Sequence, residues 1–256
     1  MTLNTTLEDA RVLVVGASSG IGRALAEHAL FQGARVSCAA RRTEPLNEVI
    51  AGHPKGVAIT ADIRNAEDCR RIVAESVASM GGLDLVVSCA GVGSLGNIEA
   101  PDPQEWRRDY DVNVVGPTLI AGAALEFLSP DGIIALMSSE SVGETRWGLS
   151  SYTASKAALD ATVRNWRVEH PQRRFQRIVM GAAFPTDFGA QYGGPILDTA
   201  MQQWLAAGIS SEMMDCNTVG QHLAAMFGVM LAIPGVDIPD ICYDPRGVPI
   251  AAAPVL

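Results

Sequence analysis

Val12-Leu13-Val14-Val15-Gly16-Ala17-Ser18-Ser19-Gly20-Ile21-Gly22 is the stretch that decides the fold. Four apolar residues run without a polar break, as in a strand buried on both faces of a parallel sheet. They pass directly into glycines spaced by four and then two, a G-x-x-x-G-x-G loop, and from there into a helical pattern. Glycine there turns the chain tightly and lets backbone amides approach a pyrophosphate at a helix N-terminus. Such a turn can also simply close a strand. Its place between the first strand and a helix favours the dinucleotide reading.

Outward from this loop, short β-branched runs alternate with longer helical segments. Strands are expected at 12–15, 35–39, 57–60, 83–88, 133–137, 177–182 and 238–243. Helices are expected at 21–32, 43–50, 66–80, 103–128, 151–170 and 218–231. This alternation predicts an α/β fold, a doubly wound parallel sheet of about seven strands with helices on both faces. The length of 256 residues suits one large domain, and with no Pro/Gly/Ser linker the expectation is a single domain over 1–256. The segment 184–215 breaks the rhythm, being long, uneven and rich in residues such as Phe184, Phe188, Tyr192 and Trp204. It is expected to be a lid over the substrate. An apolar mouth of this kind favours apolar or cyclic substrates, although the same side chains could pack the lid's own core.

Composition excludes several classes. Apolar residues make up 48% and charged residues 18%, which describes a folded globular chain. A net charge of −9 argues against a broad nucleic-acid surface or an anionic membrane partner. The five cysteines form no C-x-x-C pair, so no zinc site or disulfide framework is predicted, and reduced thiols point to the cytoplasm. Residues 1–11 show no apolar signal-peptide core. The charge-free stretch 216–236 approaches the length of a membrane span, but its glycines, Asn217, Gln221 and Pro234 favour a buried helix of a soluble protein.

Tyr152-Thr153-Ala154-Ser155-Lys156 sets a phenol and an ammonium one helical turn apart, on one face. A phenol of pKa about 10 is a poor acid–base group at neutral pH, and a neighbouring ammonium favours its ionised form. On an ordinary amphipathic helix the pair would be only a surface contact. Two features add weight. Lys55 and Lys156 are the only lysines among nineteen basic residues, and arginine does not replace an ammonium in this role. Ser138 and Ser139 close the expected strand 133–137, at the end where parallel sheets meet ligands.

Together these residues resemble the short-chain dehydrogenase/reductase family. The glycine loop resembles the family's cofactor fingerprint. Ser88-Cys89-Ala90-Gly91 stands where the family has Asn-Asn-Ala-Gly, and Asp111-Val112-Asn113-Val114 resembles the segment with its active-site asparagine. Ser139 lies thirteen residues before Tyr152, a spacing shared by many members. The resemblance implies a single Rossmann-type domain and a nicotinamide-dependent oxidoreductase acting on a carbonyl or secondary alcohol. It implies that Tyr152 is the general acid in reduction and base in oxidation. Lys156 would depress the phenol's pKa and bind the nicotinamide ribose, Ser139 would hydrogen-bond the reacting oxygen, and Asn113 would hold a proton path behind the lysine. Cofactor contacts would fall to Gly16, Ser18, Ser19, Gly20, Ile21, Gly22, Asp62, Ile63, Ala90, Gly91 and Thr186, with Tyr152 and Lys156 shared. Phe184 departs from the pattern, standing where the family has glycine near the nicotinamide. The resemblance also implies a homodimer or homotetramer, consistent with the apolar run 112–125.

At the end of the second strand Ala40 occupies the position where an acid would accept the adenosine ribose hydroxyls. Arg41 follows and can grip a 2′-phosphate, while Arg42 reads as a solvated start of the next helix. NADP(H) is therefore expected over NAD(H). The rival functional class is a catalytically silent, nucleotide-binding regulator of the same fold. A scaffold without nucleotide has no use for the Tyr-x-x-x-Lys pair.

Overall fold

The computed structural model describes residues 5–189, 192–209 and 212–245. In chain order the first half comprises β1 (Arg11–Val15), α1 (Gly20–Phe31), β2 (Arg35–Ala40), α2 (Thr43–Ile50), β3 (Gly56–Thr60), α3 (Ala66–Met80) and β4 (Leu83–Ser88). Then come α4 (Pro103–Tyr110), α5 (Gly116–Ala124), β5 (Leu128–Ser139), α6 (Ser150–Glu169) and β6 (Arg174–Met180). The last elements are β7 (Ala183–Phe184), α7 (Gly194–Ala206), β8 (Met214–Asp215), α8 (Cys216–Ala232) and β9 (Asp240–Tyr243).

Seven strands form one parallel sheet in the order β3-β2-β1-β4-β5-β6-β9. The fold is the expected Rossmann-type α/β sheet. Period-two alternation along β1 feeds two cores. Val12 and Val14 pack with α1, α2 and α8, and Leu13 and Val15 with α3, α5 and α6. The charge-free stretch forms α8, whose Phe227 is fully buried in the first core. No helix among the described residues is long and apolar enough to cross a membrane.

The chain leaves β1 in one direction, through β2 and β3, and returns to run the other way from β4. The carboxyl ends of β1 and β4 therefore flank the switch point, where open α/β sheets take ligands.

Two expected elements need correction. The helix expected over 103–128 is broken. Gly116 N–H bonds back five residues to the Asp111 carbonyl, giving a π turn over Asp111–Val115 between α4 and α5. Pro117 has no N–H to offer the Asn113 carbonyl, so a regular α-helix cannot pass through this point. Leu128 belongs to β5, not to the helix. The strand expected at 177–182 begins earlier, at Arg174. Arg174 and Gln176 disguise it because they are polar yet buried. Arg174 donates to the Asp131 and Met230 carbonyls, and Gln176 to the Ile238 carbonyl.

Candidate active site

The glycine loop is pinned to its neighbours by backbone. Gly16 and Ala17 N–H both donate to the Ala39 carbonyl of β2, and Cys89 and Ala90 N–H donate to the Val15 carbonyl of β1. Gly16 has φ +88°, and a Cβ there would lie 2.6 Å from Ala90 N. A Cβ on Gly22 would lie 2.4 Å from the Gly16 carbonyl oxygen. Both positions exclude a side chain, and the loop is thereby held open toward α1's N-terminus as a cradle for an anion. Thr186 lies against Gly20, where a Cβ would be 3.3 Å from its Cγ2. Gly91 faces the catalytic side, 3.4 Å from Lys156 Nζ by the same measure.

Arg42, expected to be solvated, instead reaches the loop. Its Nη2 donates to Ser18 Oγ at 3.1 Å and pairs with Asp187, to which Ser19 Oγ also donates at 2.7 Å. Asp187 was not legible as a site residue; no spacing rule ties it to a loop 168 residues earlier. Arg41 is exposed at the end of β2, close enough to Asp62 to help hold that carboxyl below its ordinary pKa. The larger cause is Arg64, whose guanidinium donates to both Asp62 oxygens. Asp62 is thus engaged locally, with buried Ile63 beside it.

At the other side of the switch point, Ser139 ends β5 and Tyr152 and Lys156 project from the first turns of α6. The Ser139 side chain stands near enough to the Tyr152 phenol to favour its ionised form, and its Oγ accepts from Ser141 N–H at 3.2 Å. Ser138 Oγ, by contrast, is buried without a hydrogen bond among the described residues. Lys156 is 3% exposed; its Nζ donates to the Met137 carbonyl at 2.8 Å and lies 5.9 Å from the Tyr152 ring centre. Burial lowers the ammonium to about 8, opposed by Asp160. Burial also pushes the Tyr152 phenol up to about 12, opposed by Ser139 and Arg146 and reinforced by Glu140 and Asp109. The expected depression of the phenol is therefore absent. Desolvation outweighs the nearby cations. Glu140 and Arg146, paired beside the phenol, were not foreseen. Asn113 sits in the π turn, accepting from Val92 N–H at 3.0 Å and donating to the Val92 carbonyl and to Ser155 Oγ.

The segment 184–215 crosses both sites. Phe184 pairs in β7 with Asp215 of β8. Phe188 packs on Tyr152 with ring centres 4.8 Å apart, and Tyr192 packs edge-on against Phe188 at 5.9 Å. Trp204 of α7 donates to the Trp147 carbonyl, tying the segment to the loop before α6. Beside it a cavity of about 180 Å³ opens between Ser94, Trp106, Gly148, Ser151 and Ile196.

Residues 10–192 match the family described as short chain dehydrogenase. The 11-beta-hydroxysteroid dehydrogenase A of Sesamum indicum is 36% identical over 165 residues, 62% of this chain and 47% of that protein. The 11-beta-hydroxysteroid dehydrogenase 1A of Arabidopsis thaliana is 37% identical over the same shares. The chain spans about half the length of these curated relatives. An alcohol dehydrogenase from Thermococcus sibiricus, solved with 5-hydroxy-NADP, superposes with a TM-score of 0.77 at 21% identity, covering 91% of this chain and 94% of that one. A short-chain dehydrogenase from Streptomyces avermitilis gives 0.77 at 26% identity, covering 92% and 89%. With the match extending from β1 through Tyr192, the chain belongs to the short-chain dehydrogenase/reductase family of oxidoreductases.

Proposed function

We propose that the chain is an NADP(H)-dependent oxidoreductase that interconverts a carbonyl and a secondary alcohol, with Tyr152 as proton donor and acceptor. One observation carries this reading. Ser139, Tyr152 and Lys156 converge at the carboxyl edge of the sheet, beside a glycine cradle that a single Cβ would fill. The cradle fits a nicotinamide dinucleotide, and Gly16, Ser18, Ser19, Gly20, Ile21 and Gly22 would hold its phosphates. Asp62, Ile63, Ala90, Gly91 and Thr186 would line the remainder, and Lys156 the nicotinamide ribose. When bound, the nucleotide supplies or accepts the hydride.

Ser139 Oγ orients the reacting oxygen and stabilises its developing charge. Tyr152 delivers its proton to that oxygen. Burial keeps the phenol protonated well above neutral pH, the form that carbonyl reduction requires. Asn113 fixes Val92 and Ser155, which bracket the lysine. Arg41, with no acid at Ala40 to repel it, supports a 2′-phosphate and so NADP(H) over NAD(H). Arg41→Ala is expected to raise the NADPH Michaelis constant about tenfold and leave that for NADH near the parent value. Phe188, Tyr192 and Ile196 support an apolar, cyclic substrate beneath a 184–215 lid, and hydroxysteroid dehydrogenases among the relatives favour the same class. Val115 and the 79%-exposed Val168, on the α4–α6 side, support a homodimer or homotetramer, tested by light scattering at micromolar concentration.

A second reading has its own support. Phe188 covers Tyr152, and Asp187 and Arg42 occupy the Ser19 and Ser18 hydroxyls of the glycine loop, as in a nucleotide sensor without turnover. A panel of ketones and alcohols with both nucleotides separates the two. Turnover of apolar cyclic ketones with NADPH is expected. Nucleotide binding with no turnover across the panel would favour the sensor.

A further inference from the structure

Asp109 lies on α4, one turn before Asn113, and is fully buried. Its Oδ2 accepts from Ser94 N–H at 3.0 Å and from the Ser151 hydroxyl, and its Oδ1 accepts from Ser94 Oγ at 3.0 Å. Arg108 Nη2 donates to Ser94 Oγ at 2.9 Å and stands 3.6 Å from Asp109 Oδ1, placing a cation beside the buried acid. These contacts repeat, one helical turn away, what Asn113 makes with Val92 and Ser155. Val92 and Ser94 are two residues apart on the loop after β4. Asp109 and Asn113 are four apart on the middle segment, and Ser151 and Ser155 are four apart on α6. The result is a polar ladder of two rungs across three chain segments. One rung holds the residue immediately before Lys156, and the other holds the residue immediately before Tyr152.

We propose that Asp109 is a positioning residue for the reaction: through Ser151 and Ser94 it fixes the first turn of α6 and hence the Tyr152 phenol against Ser139 and the substrate loop. Nothing in the fold alone calls for a carboxyl here. The helix N-terminus of α6 has no side-chain cap at Leu149, so the Asp109–Ser151 contact supplies the side-chain anchor at this end. A buried acid is costly unless hydrogen-bonded, and here a backbone amide and two hydroxyls donate to it. The division of labour is specific. The Asn113 rung serves the lysine and the nucleotide ribose, and the Asp109 rung serves the tyrosine and the substrate.

The inference rests on Tyr152 being the proton-transfer group, and the test separates the two. Asp109→Ala is expected to lower kcat about 30- to 100-fold, from the unpaired amide and hydroxyls it leaves, while NADPH affinity stays within about threefold. Asp109→Asn can keep the acceptor for Ser94 N–H and Ser151 and donate to Ser94 Oγ, so it should return kcat to within about fivefold of the parent. Ser151→Ala should fall between them. A purely architectural role would lower nucleotide affinity and kcat together and leave Ser151→Ala silent. Hydrogen exchange reads the same tether without turnover. Amides at 92–96 and 149–153 should exchange at least about tenfold faster in Asp109→Ala, or in Ser151→Ala if the first variant does not fold, with the glycine loop unchanged. Parent-level kcat and unchanged exchange in these variants would overturn the inference. Full activity of Tyr152→Phe would instead remove the reading beneath it, and exchange would still decide whether Asp109 tethers α6.

Discussion

The two sides of the site are built by different physics. The cradle rests on β1 and β4 and Ser139 on β5, strands whose side chains are almost all buried, with Tyr152 and Lys156 on α6, and backbone contacts at the cradle leave no room for an added carbon. The segment 184–215 rests on little. Of the thirteen residues of α7 only Ala200 is buried, and Met201 and Leu205 are 50% and 62% exposed. Among the described residues its ties to the rest include the Asp187 bridge, Thr186 against Gly20, Phe188 on Tyr152, Phe188 and Tyr192 against Gly93, and one hydrogen bond from Trp204. The lesson is a separation of duties. On the proposed function, chemistry would sit where packing tolerates no variation, and substrate choice where many side chains would be tolerated.

Substitutions on the packed side should therefore be severe, and those on the proposed lid, 184–215, mild and selective. Lys156→Ala should give the largest effect of those considered first, a loss of at least about 100-fold in turnover together with weaker nucleotide binding, read by steady-state rates and by titration. Unchanged nucleotide affinity would remove the ribose role while sparing the electrostatic one. Gly22→Ala forces a Cβ against the Gly16 carbonyl and should weaken nucleotide binding about 10- to 100-fold by calorimetry, with the far-ultraviolet spectrum retained.

On the lid, Phe188→Ala should leave NADPH affinity within about threefold and change the ratio of kcat/KM for bulky against small ketones about tenfold. Equal losses for both classes would move Phe188 to the packed side of the comparison. The smallest effect concerns pH. Buried Lys156 is lowered to about 8, so between that value and the ordinary 10.5 of an unfolded lysine the native state binds fewer protons than the unfolded one. Its contribution to stability accordingly rises with pH across that window. Lys156→Met, which buries no charge, should gain most over the parent below pH 8. That advantage should shrink by a few degrees in Tm on approaching pH 10.5. A difference independent of pH would mean that the ammonium is not desolvated.

The comparison also explains what could be read without the structure. The boundaries of α3 and β4 match the expected 66–80 and 83–88, because Asn65 caps α3 by accepting from Glu67 N–H and Gly81 ends it at φ +80°. Tyr152 and Lys156 were legible as a pair from helix periodicity and Ser138-Ser139 as a strand end, whereas the choice of Ser139 came from the family spacing to Tyr152. The π turn was not, since its cause is a missing N–H at Pro117 inside an otherwise helical run. The start of strand β6 was hidden by Arg174 and Gln176, polar residues whose partners are carbonyls far along the chain. Asp187 and Asp109 escaped for the same reason. A carboxyl in sequence carries no mark of the hydroxyls it will meet across 168 or 42 residues. The direction of the Tyr152 shift was missed because its cause is burial, to which residues distant in sequence such as Phe188 contribute and on which spacing rules are silent.

The account turns on the Tyr152 phenol as the group that moves the proton. The direct test is Tyr152→Phe, which removes one oxygen and keeps the ring against Phe188, assayed for ketone reduction alongside NADPH binding by fluorescence. The account predicts turnover lowered by at least about 1,000-fold with nucleotide affinity within a few fold of the parent. Turnover near the parent level with the nucleotide still bound would contradict it.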